Sequence, residues 1–332
     1  MPEPVRKMRR SERGAALLTV LLLVAVMSVV AAGALERVTL ATRLVGNAGA
    51  MDQSRAYAQS AETIARIRLA DLVAATPGKT TLEGGWLGAP QTMPVPGGTA
   101  QVTVFDGGNC FNLNSLVTGS DENSLKIRPV GILQFQGLMQ VLGIDPRIAQ
   151  QVAASTADWI DTDSVPQPGG AEDDFYLRQA TPYRTANRFM TDASELRAVA
   201  GVTPAIYTQL KPWICALPTS DLSPLNVNTL LPEQAPLFAM LIPGKLSVAQ
   251  ARQLLAQRPE GGYGSTVGFW ALPALKSLTP LTEVSNQVRL TTRWFRVRIR
   301  VDVGGTQLDE TALIDAQEKP ARLLRRQFGG EA

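Results

Sequence analysis

The chain has 332 residues, with 32 basic and 29 acidic side chains, a formal net charge of +3 and no histidine. The missing imidazole excludes Ser-His-Asp and Cys-His nucleophile systems, histidine-containing zinc sites and histidine acid–base chemistry. Five of the basic and two of the acidic residues fall in the first 14 positions, so the remainder carries 27 of each sign and has no general attraction to nucleic acid.

Arg6, Lys7, Arg9, Arg10 and Arg13 precede an uncharged apolar run of 21 residues, 15–35. As a helix the run reaches roughly 31 Å, the thickness of a bilayer's hydrocarbon core, and the basic cluster holds the short tail on the cytoplasmic side. A secretory signal would have a shorter apolar core and a small-residue cleavage site leading into a polar chain. Here the run continues instead into a proline-free segment, 36–76. Val38, Leu44, Val45, Tyr57, Ile64, Ile67, Leu69 and Leu72 recur there on a polar, alanine-rich background. Thr76-Pro77-Gly78 ends the pattern, which predicts one helix over about 15–75, a transmembrane segment continuing into a stalk. This arrangement resembles the N-terminal spine of type IV pilins and type II secretion pseudopilins. Arg13-Gly14-Ala15-Ala16-Leu17-Leu18-Thr19 resembles their prepilin peptidase site. The resemblance implies a leader peptide, 1–14, cut after Gly14, with methylation of the new N-terminus at Ala15. The fifth residue after that point is Thr19, where most such proteins carry glutamate; among pseudopilins the K-type minor pseudopilin characteristically lacks it. In related fibres that glutamate is thought to pair with a neighbour's N-terminal amine, so Thr19 implies a position with nothing above it.

Residues 77–98 are rich in glycine and proline and read as an extended connection. Residues 100–106 alternate at period two as a strand, Gly107-Gly108 turns the chain, and 110–114 is a second strand candidate. The period then becomes helical, with short helices expected over 129–142, 146–159, 192–199 and 204–214. Strands return at 294–303, where Arg296, Arg298 and Arg300 alternate with Phe295, Val297, Ile299, Val301 and Val303. Gly304-Gly305 leads into 306–316. The fold class is therefore α+β: a pilin-like antiparallel β-sheet (77–114 and 286–332) on the long helix, with an α-helical domain (115–285) inserted between its strands. The arginine ladder reads as a solvated sheet face or as a docking surface. Phe111-Asn112-Leu113-Asn114-Ser115-Leu116 matches Leu225-Asn226-Val227-Asn228-Thr229-Leu230, and helix-turn-helix outlines follow both, so the insertion reads as two related helical subdomains. Cys110 and Cys215 lie on the exported side, where a disulfide can form and would close a long loop, worth about 4–5 kcal/mol in the chain-entropy model. Two buried free thiols are the alternative.

The densest polar segment is Asp158-Trp159-Ile160-Asp161-Thr162-Asp163, followed by Gly170-Ala171-Glu172-Asp173-Asp174. These carboxylates repel one another unless they are solvated or bridged by a cation, and the Asp161–Asp163 alternation suits oxygen ligands around calcium. No glycine stands where an EF-hand loop requires one, and an acidic surface loop is the plainer reading. With Pro182-Tyr183-Arg184-Thr185-Ala186-Asn187-Arg188, Ser194-Glu195-Leu196-Arg197 and Leu225-Asn226-Val227-Asn228-Thr229, these blocks resemble the general secretion pathway protein K family across 13–316. The resemblance implies calcium held by Asp161, Asp163, Glu172 and Asp173, with Asn228 and Asn226 weaker because an asparagine before a helix is commonly a cap. It further implies an inner-membrane, single-pass protein with its bulk in the periplasm. Such a protein acts as a minor pseudopilin at the pseudopilus tip, its partners being the minor pseudopilins I, J and H, the major pseudopilin G and the prepilin peptidase. A membrane-anchored helix-hairpin-helix DNA-binding module is the alternative, through the turn Pro243-Gly244-Lys245-Leu246. Catalysis is not expected, since no nucleophile motif, phosphate loop or histidine accompanies the carboxylates.

Overall fold

The computed structural model describes residues 10–119, 121 and 123–329. Positions 1–9 of the expected leader and 330–332 of the expected β domain lie outside the described residues. Helix α1 spans Arg10–Ala75, 66 residues without a break. Its first part presents exposed apolar side chains from Leu17 through Val45 and is long and apolar enough to cross a membrane. Its last part is amphipathic in a different way. Ser54, Ala58, Ala61, Glu62, Ala65 and Leu69 form a buried stripe at helical spacing. The alanines let the helix axis approach the sheet closely, while Ile67 stays exposed and Ile64 flanks the cleft between the helix and Trp86 and Val104.

That stripe packs on a five-stranded antiparallel sheet in the order β1 (Gln91–Val95), β2 (Gly98–Asp106), β3 (Trp294–Val303), β4 (Thr306–Asp315) and β5 (Arg322–Phe328). Alternation along β3 sends Phe295, Val297, Ile299, Val301 and Val303 into the core under α1, and Arg296 and Arg300 to the exposed face. Arg296 and Arg298 lie over the Phe105 ring, and Arg300 pairs with Asp309 at 2.7 Å. Gly304 and Gly305 both take positive φ, +58° and +78°, which a two-residue hairpin turn of this hand requires.

The glycine- and proline-rich connection holds more than an extended link. Trp86 packs into the sheet core against Phe295, and β1 forms an edge strand in which Pro94 lacks a ladder donor. Strand β5 forms the other edge, after a bulge between Leu313 and Ile314.

Everything between β2 and β3 is inserted into what would otherwise be a hairpin, since Asp106 pairs with Phe295. Its first half holds α2 (Pro129–Val141), α3 (Pro146–Ile160), the single turn α4 (Asp173–Tyr176) and α5 (Pro204–Leu210). The helix expected over 192–199 is a 3-10 turn, Ala193–Ala198, with Asp192 and Glu195 forming a capping box. The helix expected to reach Ile214 stops at Leu210, because Ile214–Cys215 is drawn into a parallel bridge with Phe111–Asn112. The second half carries α6 (Ala235–Ala239) and α7 (Val248–Ala256), and Leu225–Asn226 bridges in parallel with Val288–Arg289.

The internal repeat is thus a repeat of local architecture. Asn114 donates to the carbonyls of Met190 and Leu217 and accepts from Met190 N–H. Asn228 likewise donates to Tyr263 O and accepts from Tyr263 N–H. Each second asparagine therefore replaces a stretch of ladder for a strand too short to make its own. Cys110 and Cys215 are joined as a disulfide beside the first bridge.

Candidate metal centre

Helix α3 ends at Ile160 because Asp161 leaves helical geometry (φ −66°, ψ 171°), and its carboxylate turns inward. The following loop returns through Gly170 to α4, bringing Glu172 beside Asp161. Asp161, Asp163 and Glu172 each offer an oxygen within 4.8 Å of the others. Asp161 is fully buried and Glu172 is 5% exposed, while Asp163 is open to solvent. Among the described residues, neither oxygen of Asp161 nor Oε1 of Glu172 meets a hydrogen-bond donor. Buried carboxylates without donors are costly, and a hard cation with oxygen ligands is the group that would relieve all three at once.

The electrostatics agree. Burial first, then the charges of Asp163, Glu172 and Asp158, push Asp161 up to about 8. Burial and the charges of Asp158 and Asp163 push Glu172 up to about 7. Among the described residues, no basic side chain lowers either of them. Such a site binds protons tightly unless a cation takes their place.

Asp158 supports the loop. It is fully buried and holds Gln167 N–H with both oxygens at 3.1 Å; burial raises it to about 6 against the backbone bonds from Gln167 and Ala171. Gly170 is packed against it so closely that an added Cβ would stand 1.9 Å from Oδ2. Beside this loop Trp159 meets both Tyr176 and Tyr183 edge to face, and Tyr176 accepts a bond from Ala200 N–H. Asn187, at positive φ, donates its N–H to Trp159 O and leaves a buried Oδ1 without a partner.

Three expected ligands are elsewhere. Asp173 faces away from the cluster: Oδ1 accepts from Thr185 N–H and Oγ1 at 3.0 Å, Oδ2 pairs with Arg184, and these contacts lower its pKa. Asn228 lies in the second half of the insertion with both amide atoms committed to Tyr263. Asn226 is equally occupied, donating to Thr80 O and Thr292 Oγ1. Position in a motif drew attention to these residues, but long-range partners had already claimed them. The turn Pro243-Gly244-Lys245 joins α6 towards α7, and Pro243 is packed onto Gly137 of α2, where an added Cβ would come within 2.9 Å.

Residues 109–219 match the first-domain profile of the type II secretion system (T2SS) protein K family, and residues 225–291 match a second profile for the same protein. Type II secretion system protein K of Pectobacterium carotovorum subsp. carotovorum is 34% identical over 326 residues, covering 97% of this chain and 98% of that protein. The protein of the same name from Klebsiella pneumoniae is 34% identical over 324 residues, again with 97% and 98% coverage. Among solved structures, the fold is similar to a chain in the GspK-GspI-GspJ complex of the enterotoxigenic Escherichia coli Type 2 Secretion System. The TM-score is 0.74 at 30% identity, covering 85% of this chain and 97% of that one.

Proposed function

The chain belongs to the type II secretion system protein K family and is a minor pseudopilin; from that premise we propose that it caps the pseudopilus tip together with the I and J minor pseudopilins. The observation that carries this reading is the likeness to a chain solved within a GspK-GspI-GspJ complex, joined to a helix that runs unbroken from an exposed apolar segment into the sheet. The helix anchors the chain by a single membrane pass. In this reading the membrane is the inner one and the sheet and insertion lie in the periplasm, with the H-type minor pseudopilin and the G-type major pseudopilin further along the fibre.

Thr19 fits the capping position. Its uncharged hydroxyl donates back to Ala16 O at 2.9 Å and offers no carboxylate to a neighbour's N-terminal amine, which a subunit with nothing above it does not need. The prepilin peptidase would cut after Gly14 and leave a methylated Ala15. Calcium would be held by Asp161, Asp163 and Glu172, with Asp158 and Gly170 keeping the loop in place. Bound calcium would supply two positive charges to the cluster, and the chain's part is to gather oxygens from the residue that ends α3, the loop after it and the residue that precedes α4 around one point.

Co-expression with the I and J minor pseudopilins of the same system tests the reading. A ternary complex by light scattering, and a membrane-extracted chain whose mass begins at methylated Ala15 only when the peptidase is present, are the expected results. Recovery of the chain alone, beginning at Met1 under both conditions, would refute it. So would labelling spread along the fibre shaft.

A further inference from the structure

Within the apolar joint between stalk and sheet lie two carboxyl groups. Glu62 of α1 is 1% exposed and Glu310 of β4 is fully buried. One guanidinium stands between them. Arg326 of β5 bonds Oε2 of Glu62 through Nε and Nη2, both at 2.7 Å, and its Nε lies 3.6 Å from Oε1 of Glu310. Arg66 of α1 is 4.0 Å from the other Glu62 oxygen and donates its Nε–H to Ala321 O. Farther along α1, Arg55 lies over the Phe328 ring. From β3 the side chains turned to this joint are apolar, with Ile299 directly opposite Glu310.

Arg326 is therefore committed to Glu62, and neither Glu310 oxygen meets a donor among the described residues. Ionised, Glu310 would be a buried anion beside a second anion. Neutral, it becomes a donor with a carboxylate in reach. We propose that Glu310 is a proton-operated clasp between the stalk helix and the sheet: neutral, it shares its proton with Glu62 and closes the joint; ionised, it repels Glu62 and loosens it.

The balance of forces on the group agrees with the geometry. Burial, and then the charge of Glu62, raise Glu310 from 4.5 to about 7, with Arg326 only partly opposing them. Because the folded value lies above the unfolded one, this contribution to stability is complete below about pH 4.5 and is lost as pH rises through about 7. Between about pH 5.5 and about 8.5 these values lower the folding equilibrium constant roughly 30-fold, a fall of about 4–8 °C in unfolding midpoint.

The test uses the full chain in detergent micelles, disulfide intact, in constant millimolar calcium so that at each pH the acidic loop contributes alike to the wild type and the variants. Midpoints are read across that pH range for the wild type, Glu310→Gln and Glu62→Gln. The glutamine at 310 imitates the neutral acid, and the one at 62 frees Arg326 for Glu310, so the pH-dependent fall should shrink by about 4–8 °C in both. Should Glu310→Gln not fold, Glu62→Gln carries the same test. A slope equal to that of the wild type in a folded variant overturns the proposal.

Discussion

At the proposed calcium site, calcium and protons should compete for the same oxygens. With Asp161 near 8, its ionised fraction falls from about one half at pH 8 to about one hundredth at pH 6, a factor of about 50. With Glu172 near 7, the fraction falls about tenfold over the same interval. If the two titrated independently, calcium affinity would drop about 500-fold, or roughly 3.7 kcal/mol. They repel each other, so protonating one eases ionisation of its neighbour, and the expected loss lies between about 50-fold and about 500-fold.

Calorimetric titration of calcium into chelator-stripped full chain at the two pH values, in buffers of different ionisation enthalpy, measures both the affinity and the protons released. Between one and two protons should leave per calcium near pH 6. Stability obeys the same sign. Without calcium these folded values lie above the unfolded ones, so the stability they contribute is present below about pH 4 and is lost as pH rises through about 7–8. With calcium bound, that loss should disappear. Affinity independent of pH, with no proton release, would refute the reasoning.

Gly170→Ala must push Asp158 off Gln167, at about 1–3 kcal/mol, and should weaken calcium binding several-fold in the same titration. Asn228→Ala strips Tyr263 of both backbone partners and should cost about 2–4 kcal/mol by denaturant unfolding, while leaving calcium affinity unchanged. Cys110→Ser with Cys215→Ser removes a cross-link of sequence separation 105. The chain-entropy account predicts a loss of about 4–5 kcal/mol, read as a lower denaturation midpoint under oxidising conditions.

Much of the fold is legible because it rests on local periodicity. Strands β2 and β3 alternate, β4 follows from the Gly304-Gly305 turn, and the stalk has no proline before Pro77. The two edge strands escape such a reading for different reasons. In β1, Pro94 argues against a strand, and only its edge position makes it admissible. In β5, Arg-Leu-Leu-Arg-Arg-Gln-Phe has no period, since it is half exposed and paired across a bulge. At the candidate metal centre the i, i+2 carboxylates and the return of Glu172 were readable in sequence order. The loss of Asp173 to Thr185 and Arg184, and of Asn228 to Tyr263, depended on contacts 11 to 35 positions away. The Glu62–Glu310 pair is separated by most of the chain and has no motif at all.

The insertion leaves β2 and returns to β3 one strand spacing apart, so mechanically it is a hairpin turn that has grown into a domain. Hung only there, it would pivot like a flag on a halyard. A second fastening prevents that: Thr80, just after the stalk, donates its N–H to Leu290 O and accepts Asn226 Nδ2 through its own carbonyl. Buried Asp106 gathers Thr229, Thr292 and Gly108 at the same seam. With Asp192 also held by Arg325 and Gln327 of β5, the graft is mounted at several points and keeps a fixed heading relative to the long axis of the stalk, so whatever surface it shows to a neighbour is aimed by the stalk itself.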